Sequence, residues 1–442
     1  MCLSDPHPFC ALVGSLIYLT ITRPDIALSI GVVSRYMQEP RKPHFEEAKK
    51  ILKYVNSTLN MSLFYEKGVE FPFQGFVDAD FGGDLDDWRS TSSFIFLCGT
   101  TSVSWCSKKQ GILEELCWSK MTSNGGSGDG HAKQPLFSFG VITDIQYADI
   151  PNGHSFHGVP RYYRHSIQVL QRAVRQWNDD QKKKKVQFSM NFGDIVDGYC
   201  PKSESLSAVQ KVVKEFERFN GPTYHMIGNH CLYNLPRNQL ISLLNLPSES
   251  DHLYYDFSPS PEYRFVVLDP YDISAIGWPH DHPNTLAASR ILKAKNPNAD
   301  KNNPAGMEGL EQRFVMFNGA LGKDQLRWLD DVLRESTKKK QKVIVCCHLP
   351  LYPEAASALA LPWNYEDVLT LIHRYGCVKA CLSGHDHKGG YAVDSHGIHH
   401  RVLEAALECP LGSNAFGCID VYDDRLSLVG TDRLKSTEMA FR

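Results

Sequence analysis

No stretch of this sequence is long and apolar enough to cross a bilayer. The longest apolar run, Cys10 to Ile21, has twelve residues and includes glycine, serine and threonine, whereas a spanning helix needs about 20. The opening residues Met1-Cys-Leu-Ser-Asp-Pro lack the basic segment and apolar core of a secretory signal. The sequons at Asn56 and Asn60 are therefore expected to go unused, and the cytosol is the expected compartment. The 13 cysteines contain no CxxC pair. That argues against a zinc framework or a disulfide-stapled scaffold and for free or buried thiols in a reducing compartment. Positive charge is not in surplus either: 47 Lys and Arg face 50 Asp and Glu, a net charge of −3. Nothing global draws the chain to nucleic acid or an anionic membrane, and neither is expected as a partner.

What the sequence does contain falls into three segments. Residues 1–120 carry apolar-periodic stretches, a strand-like Gln74–Asp80 and a strand pair near Phe94–Trp105. Residues 121–136 open with Met-Thr-Ser-Asn-Gly-Gly-Ser-Gly-Asp-Gly-His-Ala-Lys-Gln, a glycine- and serine-rich tract that cannot bury a core and reads as a flexible linker. No Gly-Lys-Ser/Thr follows its glycines, so it is not a phosphate loop. Residues 137–442 alternate short apolar runs with longer amphipathic stretches, the rhythm of an α/β domain. Helices are expected over Arg164–Asn178, Leu206–Phe219, Lys323–Lys338 and Tyr365–Tyr375. Lys182–Lys185 read as a solvated turn before the strand Val186–Asn191.

Five apolar runs of this last segment end in a side chain with ligand chemistry. They are Phe139-Gly-Val-Ile-Thr-Asp144-Ile-Gln146, Phe188-Ser-Met-Asn-Phe-Gly-Asp194-Ile-Val-Asp197, Tyr224-His-Met-Ile-Gly-Asn229-His230, Val343-Ile-Val-Cys-Cys-His348 and Ala380-Cys-Leu-Ser-Gly-His385-Asp386-His387. A buried strand followed by a tight turn places its next polar residue at the strand's C-terminal end, where α/β sheets gather their sites. One such ending is weak evidence; five at the same position relative to a strand point to a metal centre for phosphoester hydrolysis. Cys346 and Cys347 would have to leave their strand to reach a metal, so packing is their expected role.

The series Asp-x-Gln, Gly-Asp-x-x-Asp, Gly-Asn-His, a lone His and Gly-His-x-His resembles the calcineurin-like metallophosphoesterases. Gln146 and Cys231 narrow the resemblance to one branch, the manganese-dependent ADP-ribose/CDP-alcohol diphosphatases, over about Phe137 to Asp432. Pro270 and Ala320 depart from that branch, in which glycines are expected. The resemblance implies an αββα sandwich of two mixed sheets over residues 137–442 and two divalent cations. Asp144, Gln146, Asp194 and His387 would hold one cation, and Asp194, Asn229, His348 and His385 the other. A ligand set of imidazole, carboxylate and amide without thiolate suits manganese, with iron or magnesium as alternatives. His230 is the expected catalytic group, protonating the leaving group or binding its developing charge. Asp197 and Asp386 are expected to orient ligands from behind. The implied reaction cleaves the diphosphate of ADP-ribose to AMP and ribose 5-phosphate, and of CDP-choline or CDP-glycerol to CMP and the phosphoalcohol. The expected partners are thus nucleoside-diphosphate-linked small molecules, and a monomer is expected. Tyr162, Tyr163, Tyr233, Tyr271 and Trp363 are candidates to stack on the base.

The first 120 residues resemble something else. Leu12-Val-Gly-Ser-Leu-Ile-Tyr-Leu-Thr, Thr22-Arg-Pro-Asp-Ile-Ala, Asp78-Ala-Asp80, Gly83-Asp-Leu-Asp-Asp-Trp-Arg-Ser-Thr-Ser and Ser104-Trp-Cys-Ser-Lys-Lys-Gln110 resemble the end of a copia-type retrotransposon polyprotein. The match runs from the tail of the reverse transcriptase into the first strands of its RNase H domain. Asp80 matches that domain's first catalytic carboxylate, but the pattern stops after Gln110, before the other carboxylates appear. With 12 Lys and Arg against 14 Asp and Glu, the segment is a poor nucleic-acid platform. An incomplete, inactive α+β remnant is expected. The alternatives are a different phosphodiesterase of the same superfamily, or a nucleic-acid-binding protein carrying the phosphoesterase as a passenger.

Overall fold

The computed structural model describes residues 5, 7–20, 23–34, 36–37, 40–58, 134–155, 158–180, 186–247 and 252–441, and the strand backbones 73–79, 91–98 and 101–109. Asp80, most of the 121–136 linker and Lys182–Lys185 lie outside the described residues. The chain divides into two compact units, residues 1–131 and 132–442.

In the first unit, helices α1 (His7–Leu19), α2 (Ala27–Ser34) and α3 (Lys42–Ser57) precede strands β1 (Phe73–Ala79), β2 (Thr91–Cys98) and β3 (Thr101–Lys109). The strands form one antiparallel sheet in the order β1-β2-β3. The helices bury small clusters, with Phe9, Val13, Val33 and Ala48 in one and Leu16, Ile26, Ile30 and Val55 in the other.

The second unit contains two six-stranded mixed sheets. One has the order β17 (Thr437–Ala440), β16 (Arg425–Gly430), β15 (Phe416–Val421), β4 (Phe137–Ile142), β7 (Val186–Asn191), β8 (Thr223–His225). The other runs β13 (Gly390–Val393), β14 (His399–Val402), β12 (Val378–Ser383), β11 (Lys342–Cys347), β10 (Tyr263–Leu268), β9 (Tyr255–Ser260). A short hairpin, β5 (Gly153–His154) with β6 (Pro160–Arg161), lies between β4 and the first helix.

Aromatic rings join the two sheets. Phe139 and Phe188 stack at 5.0 Å, and both meet Phe265 edge-on, at 5.1 and 5.4 Å. Edge-to-face pairs of this kind add to the area they bury and fix the spacing of the sheets. Helix α4 (Ser166–Asp180) covers one outer face: the Trp177 indole donates to the Gly417 carbonyl at 3.0 Å across β15. Further helices are α5 (Ser205–Phe216), α6 (Asn229–Asn234), α7 (Arg237–Leu243), α8 (Pro283–Lys295), α9 (Lys323–Lys338) and α10 (Tyr365–Ile372). This is the expected αββα sandwich. The expected helices are all found, although α5 and α10 stop three residues early, where Glu217 and His373 act as C-caps. The sequence reading did not anticipate α8, which Pro283 starts and the His282 ring caps by accepting the Asn284 N–H at 3.2 Å. Among the described residues, no helix is long and apolar enough to cross a membrane.

Pro270 and Ala320, the two departures from the expected glycines, sit in loops that pair with each other. Ile273 and Ala320 exchange both backbone hydrogen bonds at 2.9 Å, so the substitutions leave that pairing formed.

Candidate metal centre

Strands β4, β7 and β8 run parallel in one sheet, and β10, β11, β12 and β14 run parallel in the other. Their C-terminal ends therefore open on a common edge. Asp144 and Gln146 follow β4, Asp194 follows β7, Asn229 and His230 follow β8, His348 follows β11, and His385 and His387 follow β12. Backbone bonds tie these loops together. The N–H groups of Asp144 and Gln146 donate to the carbonyls of Gly193 and Asp194 at 3.1 and 2.8 Å, Gly384 N–H reaches the His348 carbonyl at 3.1 Å, and Leu407 N–H the Asp144 carbonyl at 2.9 Å.

Asp144, Gln146, Asp194 and His385 take the left-handed backbone conformation, with φ of 48°, 43°, 53° and 66°. They are four of the seven non-glycine residues found there among the described residues. Side chains rarely adopt that region, and each instance costs of order 1–3 kcal/mol that the surroundings must supply. Strain concentrated on candidate ligands marks a functional constraint.

The side chains converge. One ligand atom from each of Asp194, His348 and His385 lies within 4.8 Å of the others, and His348 Nε2 is 3.3 Å from Asp194 Oδ2. On the other side, His387 Nε2 lies 3.5 Å from Asp144 Oδ1 and 3.0 Å from the Gln146 amide nitrogen. Asn229 Oδ1 accepts from the Tyr271 hydroxyl at 3.3 Å. All seven expected ligands are thus brought to one edge.

Three observations test whether a cation fits there. Gln146 Oε1 is buried without a hydrogen-bond partner, and Asp194 Oδ2 and His348 Nε2 are buried with no well-formed hydrogen bond beyond their own 3.3 Å contact, an arrangement that folding rarely tolerates. Glycine lets backbone pack directly against these side chains: a Cβ on Gly228 would lie 2.1 Å from Asp194 Oδ1 and 2.6 Å from His348 Nε2, and one on Gly193 2.5 Å from His348 Nδ1. The electrostatics also favour positive charge. Burial opposes ionisation of Asp144 and Asp194, yet the hydrogen bond with His387 and the charge of His348, respectively, hold both carboxyls below their usual range. Against burial, Asp144 and Glu408 raise His387 to about 9, and Asp194 raises His348. His385, buried beside His348, is pushed down to about 3. Oxygen and imidazole donors without thiolate fit manganese or a similar divalent cation.

The remaining candidates fall into place around this cluster. His230 has its backbone N–H on Asp194 Oδ1 at 2.8 Å, and its ring Nδ1 accepts the Gly198 N–H at 2.8 Å. A neutral ring held that way carries its proton on Nε2. Asp197 Oδ2 is 3.4 Å from the same Nδ1 and 3.8 Å from the Arg161 guanidinium. Asp386 instead accepts the Ser357 backbone N–H at 2.7 Å. The carboxylate that orients His387 is Glu408, whose Oε1 is 2.9 Å from Nδ1 and whose other oxygen is gripped by Arg433. The sequence reading missed Glu408. Cys346 and Cys347 are packed in the core, as expected, with thiols pushed up by burial. Of the aromatic candidates, Tyr163, Tyr271 and Trp363 are buried, and Trp363 donates to the Val315 carbonyl. Tyr163 and Trp363 serve packing, and Tyr271 lends its hydroxyl to Asn229.

Comparison with known proteins gives consistent results. The family model for calcineurin-like phosphoesterase matches residues 137–389. A protein of Oryza sativa is 63% identical over 321 residues, 73% of this chain and 99% of its own length; one of Arabidopsis thaliana is 64% identical over 307 residues, 70% and 98%. A human protein is 38% identical over 328 residues, 70% and 94%. All three are named manganese-dependent ADP-ribose/CDP-alcohol diphosphatase. A dimetal phosphatase from Danio rerio superposes with a TM-score of 0.67 at 39% identity, covering 70% of this chain and all of its own.

Proposed function

The chain belongs to the calcineurin-like phosphoesterases, in the group of manganese-dependent ADP-ribose/CDP-alcohol diphosphatases, and on that premise we propose the following assignment of reaction and residues. The protein hydrolyses the diphosphate of ADP-ribose to AMP and ribose 5-phosphate, and of CDP-choline or CDP-glycerol to CMP and the phosphoalcohol. Asp144, Gln146, Asp194 and His387 hold one divalent cation, manganese for preference; Asp194, Asn229, His348 and His385 hold the second. The observation that carries the assignment is the set of buried ligand atoms on Gln146, Asp194 and His348, which find no well-formed hydrogen bond in the protein and are gathered on loops strained into position. When bound, the two cations supply charge that offsets the phosphoryl oxygens and acidity that activates water.

The protein's own groups do the rest. Asp194, with two oxygens, can serve both sites, and Thr143 holds Asp144 by donating to Oδ2 at 2.5 Å. His230, its Nδ1 accepting the Gly198 N–H, presents an Nε2–H that hydrogen-bonds the departing oxygen as its charge develops. Asp197 holds the turn that carries Gly198, accepting the Tyr199 N–H at 2.8 Å. Every residue assigned to the reaction lies between Asp144 and His387, and we read residues 1–120 as an inactive retroelement remnant joined by a linker. A cytosolic monomer completes the reading, supported by the buried thiols and the modest net charge.

The test is release of AMP from ADP-ribose and CMP from CDP-choline with Mn²⁺ and with Mg²⁺, beside a cyclic nucleotide and a chromogenic diester, with Asp194→Ala as control. Turnover of the nucleotide diphosphates that needs Mn²⁺ and Asp194 is expected. Preference for the cyclic nucleotide or the diester, or full activity in Asp194→Ala, would overturn the assignment.

A further inference from the structure

Tyr199 is 70% exposed, one of the most exposed large apolar side chains among the described residues, yet its backbone is among the most firmly tied at the site. Its N–H donates to Asp197 Oδ1 at 2.8 Å; its neighbour Gly198 donates to His230 Nδ1 at 2.8 Å; Cys200 N–H returns to the Asp197 carbonyl at 3.0 Å. The ring is therefore carried on a rigid turn, one residue from the group that holds the catalytic imidazole. Tyr163, itself buried, meets the Tyr199 ring edge-on, with centroids 6.3 Å apart and planes at 86°. An edge contact of that kind limits ring rotation, and at 70% exposure the ring remains largely open to solvent.

A single exposed aromatic needs no explanation on an ordinary surface. Here, however, the candidates identified in the sequence are mostly spent: Tyr163, Tyr271 and Trp363 are buried. Tyr233 turns its ring to His230, with centroids 5.5 Å apart. A nucleoside diphosphate has a planar base attached within a few bonds of the phosphates, and it gains most from a rigid aromatic face beside the phosphate site. We propose that Tyr199, braced by Tyr163, is the stacking surface of a nucleobase subsite; this rests on the nucleotide-diphosphatase reading above. Stacking is tolerant of base identity, because every base presents a π face. One tyrosine can thus serve both adenine and cytosine substrates, and the alcohol or ribose beyond the second phosphate needs no part in it.

The experiment uses the full chain with Mn²⁺ and compares Tyr199→Ala and Tyr199→Phe with the wild type. Two ratios are read: kcat/KM for ADP-ribose against P1,P2-dimethyl diphosphate, which has no base, and calorimetric affinity for AMP against ribose 5-phosphate. Both ratios should fall roughly tenfold in Tyr199→Ala and stay near wild type in Tyr199→Phe, as stacking on a ring requires. Unchanged ratios in Tyr199→Ala overturn the proposal, as does an equal fall in Tyr199→Phe, which would assign the effect to the hydroxyl. If the wild type hydrolyses neither ADP-ribose nor CDP-choline, the substrate reading fails on its own. A selective loss of AMP affinity in Tyr199→Ala would then still support the base subsite.

Discussion

Glu408 Oε1 lies 2.9 Å from His387 Nδ1, and that contact decides which nitrogen of the ring faces the candidate metal centre. With Nδ1–H donated to the carboxylate, Nε2 is left towards Asp144 and Gln146. Such carboxylate partners fix the tautomer of a ligand imidazole and raise its basicity, and their loss weakens metal binding by about 10–100-fold. Glu408→Ala is expected to raise the Mn²⁺ concentration needed for half-maximal rate by that factor, with Glu408→Gln in between because its amide oxygen can still accept. Calorimetric titration of Mn²⁺ into each variant measures this. An unchanged Mn²⁺ dependence in Glu408→Ala would remove Glu408 from the site's support.

Glu408 also shows where the sequence stops being informative. The expected ligands could be read because each follows a buried strand by one to four residues, so local pattern alone puts them at a strand end. Glu408 stands 21 residues after His387, in a short helical turn after β14, and reaches the ring only because β14 pairs parallel to β12. That pairing is a tertiary fact with no local signature. Asp386 illustrates the opposite error: its place between His385 and His387 suggested a supporting role, but its side chain anchors the loop at Ser357 instead. The ligand-bearing strands were legible from short apolar runs that end in turn residues, whereas the arrangement of two sheets rested on the family resemblance. Tyr199 was not, because nothing in the sequence separates an exposed tyrosine from the buried ones nearby.

His230 should separate chemistry from binding. Its ring is held by Gly198 and Asp197 rather than by a ligand side chain, so His230→Ala is expected to retain its Mn²⁺ stoichiometry. Loss of the His230 donor should lower kcat roughly 10²–10⁴-fold on a poor leaving group such as the alkoxide of an alkyl phosphodiester. The deficit should shrink on a diester with an acidic phenol, which departs without a proton. Equal deficits on the two substrates would mean that His230 does not serve the departing oxygen.

Gly228 gives a steric test free of backbone strain. Its φ of −108° is open to any residue, so Gly228→Ala carries no torsional penalty. The added methyl would nevertheless fall 2.1 Å from Asp194 Oδ1, and the carboxylate must move. A misplacement of about 1 Å costs on the order of 10² in rate. The expected variant keeps a thermal unfolding midpoint within a few degrees of wild type while kcat/KM drops about a hundredfold. Retained activity would show that Asp194 has room to shift, and that its placement is less constrained than the geometry indicates.

The last prediction is that a chain beginning at Met121 carries the whole activity. Every residue assigned to the reaction or its support, from Thr143 to Arg433, belongs to the second compact unit, residues 132–442. That unit has its own continuous core, in which Phe137, Phe139, Phe188 and Phe265 join both six-stranded sheets. The first unit offers an antiparallel sheet of three strands with β1 and β3 at its margins among the described residues, and unpaired strand edges promote association between chains. Residues 121–442 are therefore expected to be more soluble than the full chain. Their kcat/KM on ADP-ribose should match it within about threefold, which is less than the 1.4 kcal/mol of a tenfold change. Side-by-side kinetics and light scattering on the two proteins measure both expectations. If the shorter chain fails to fold or to turn over substrate while the full chain does both, residues 1–120 are part of the working enzyme, and the reading of them as an inactive remnant is wrong.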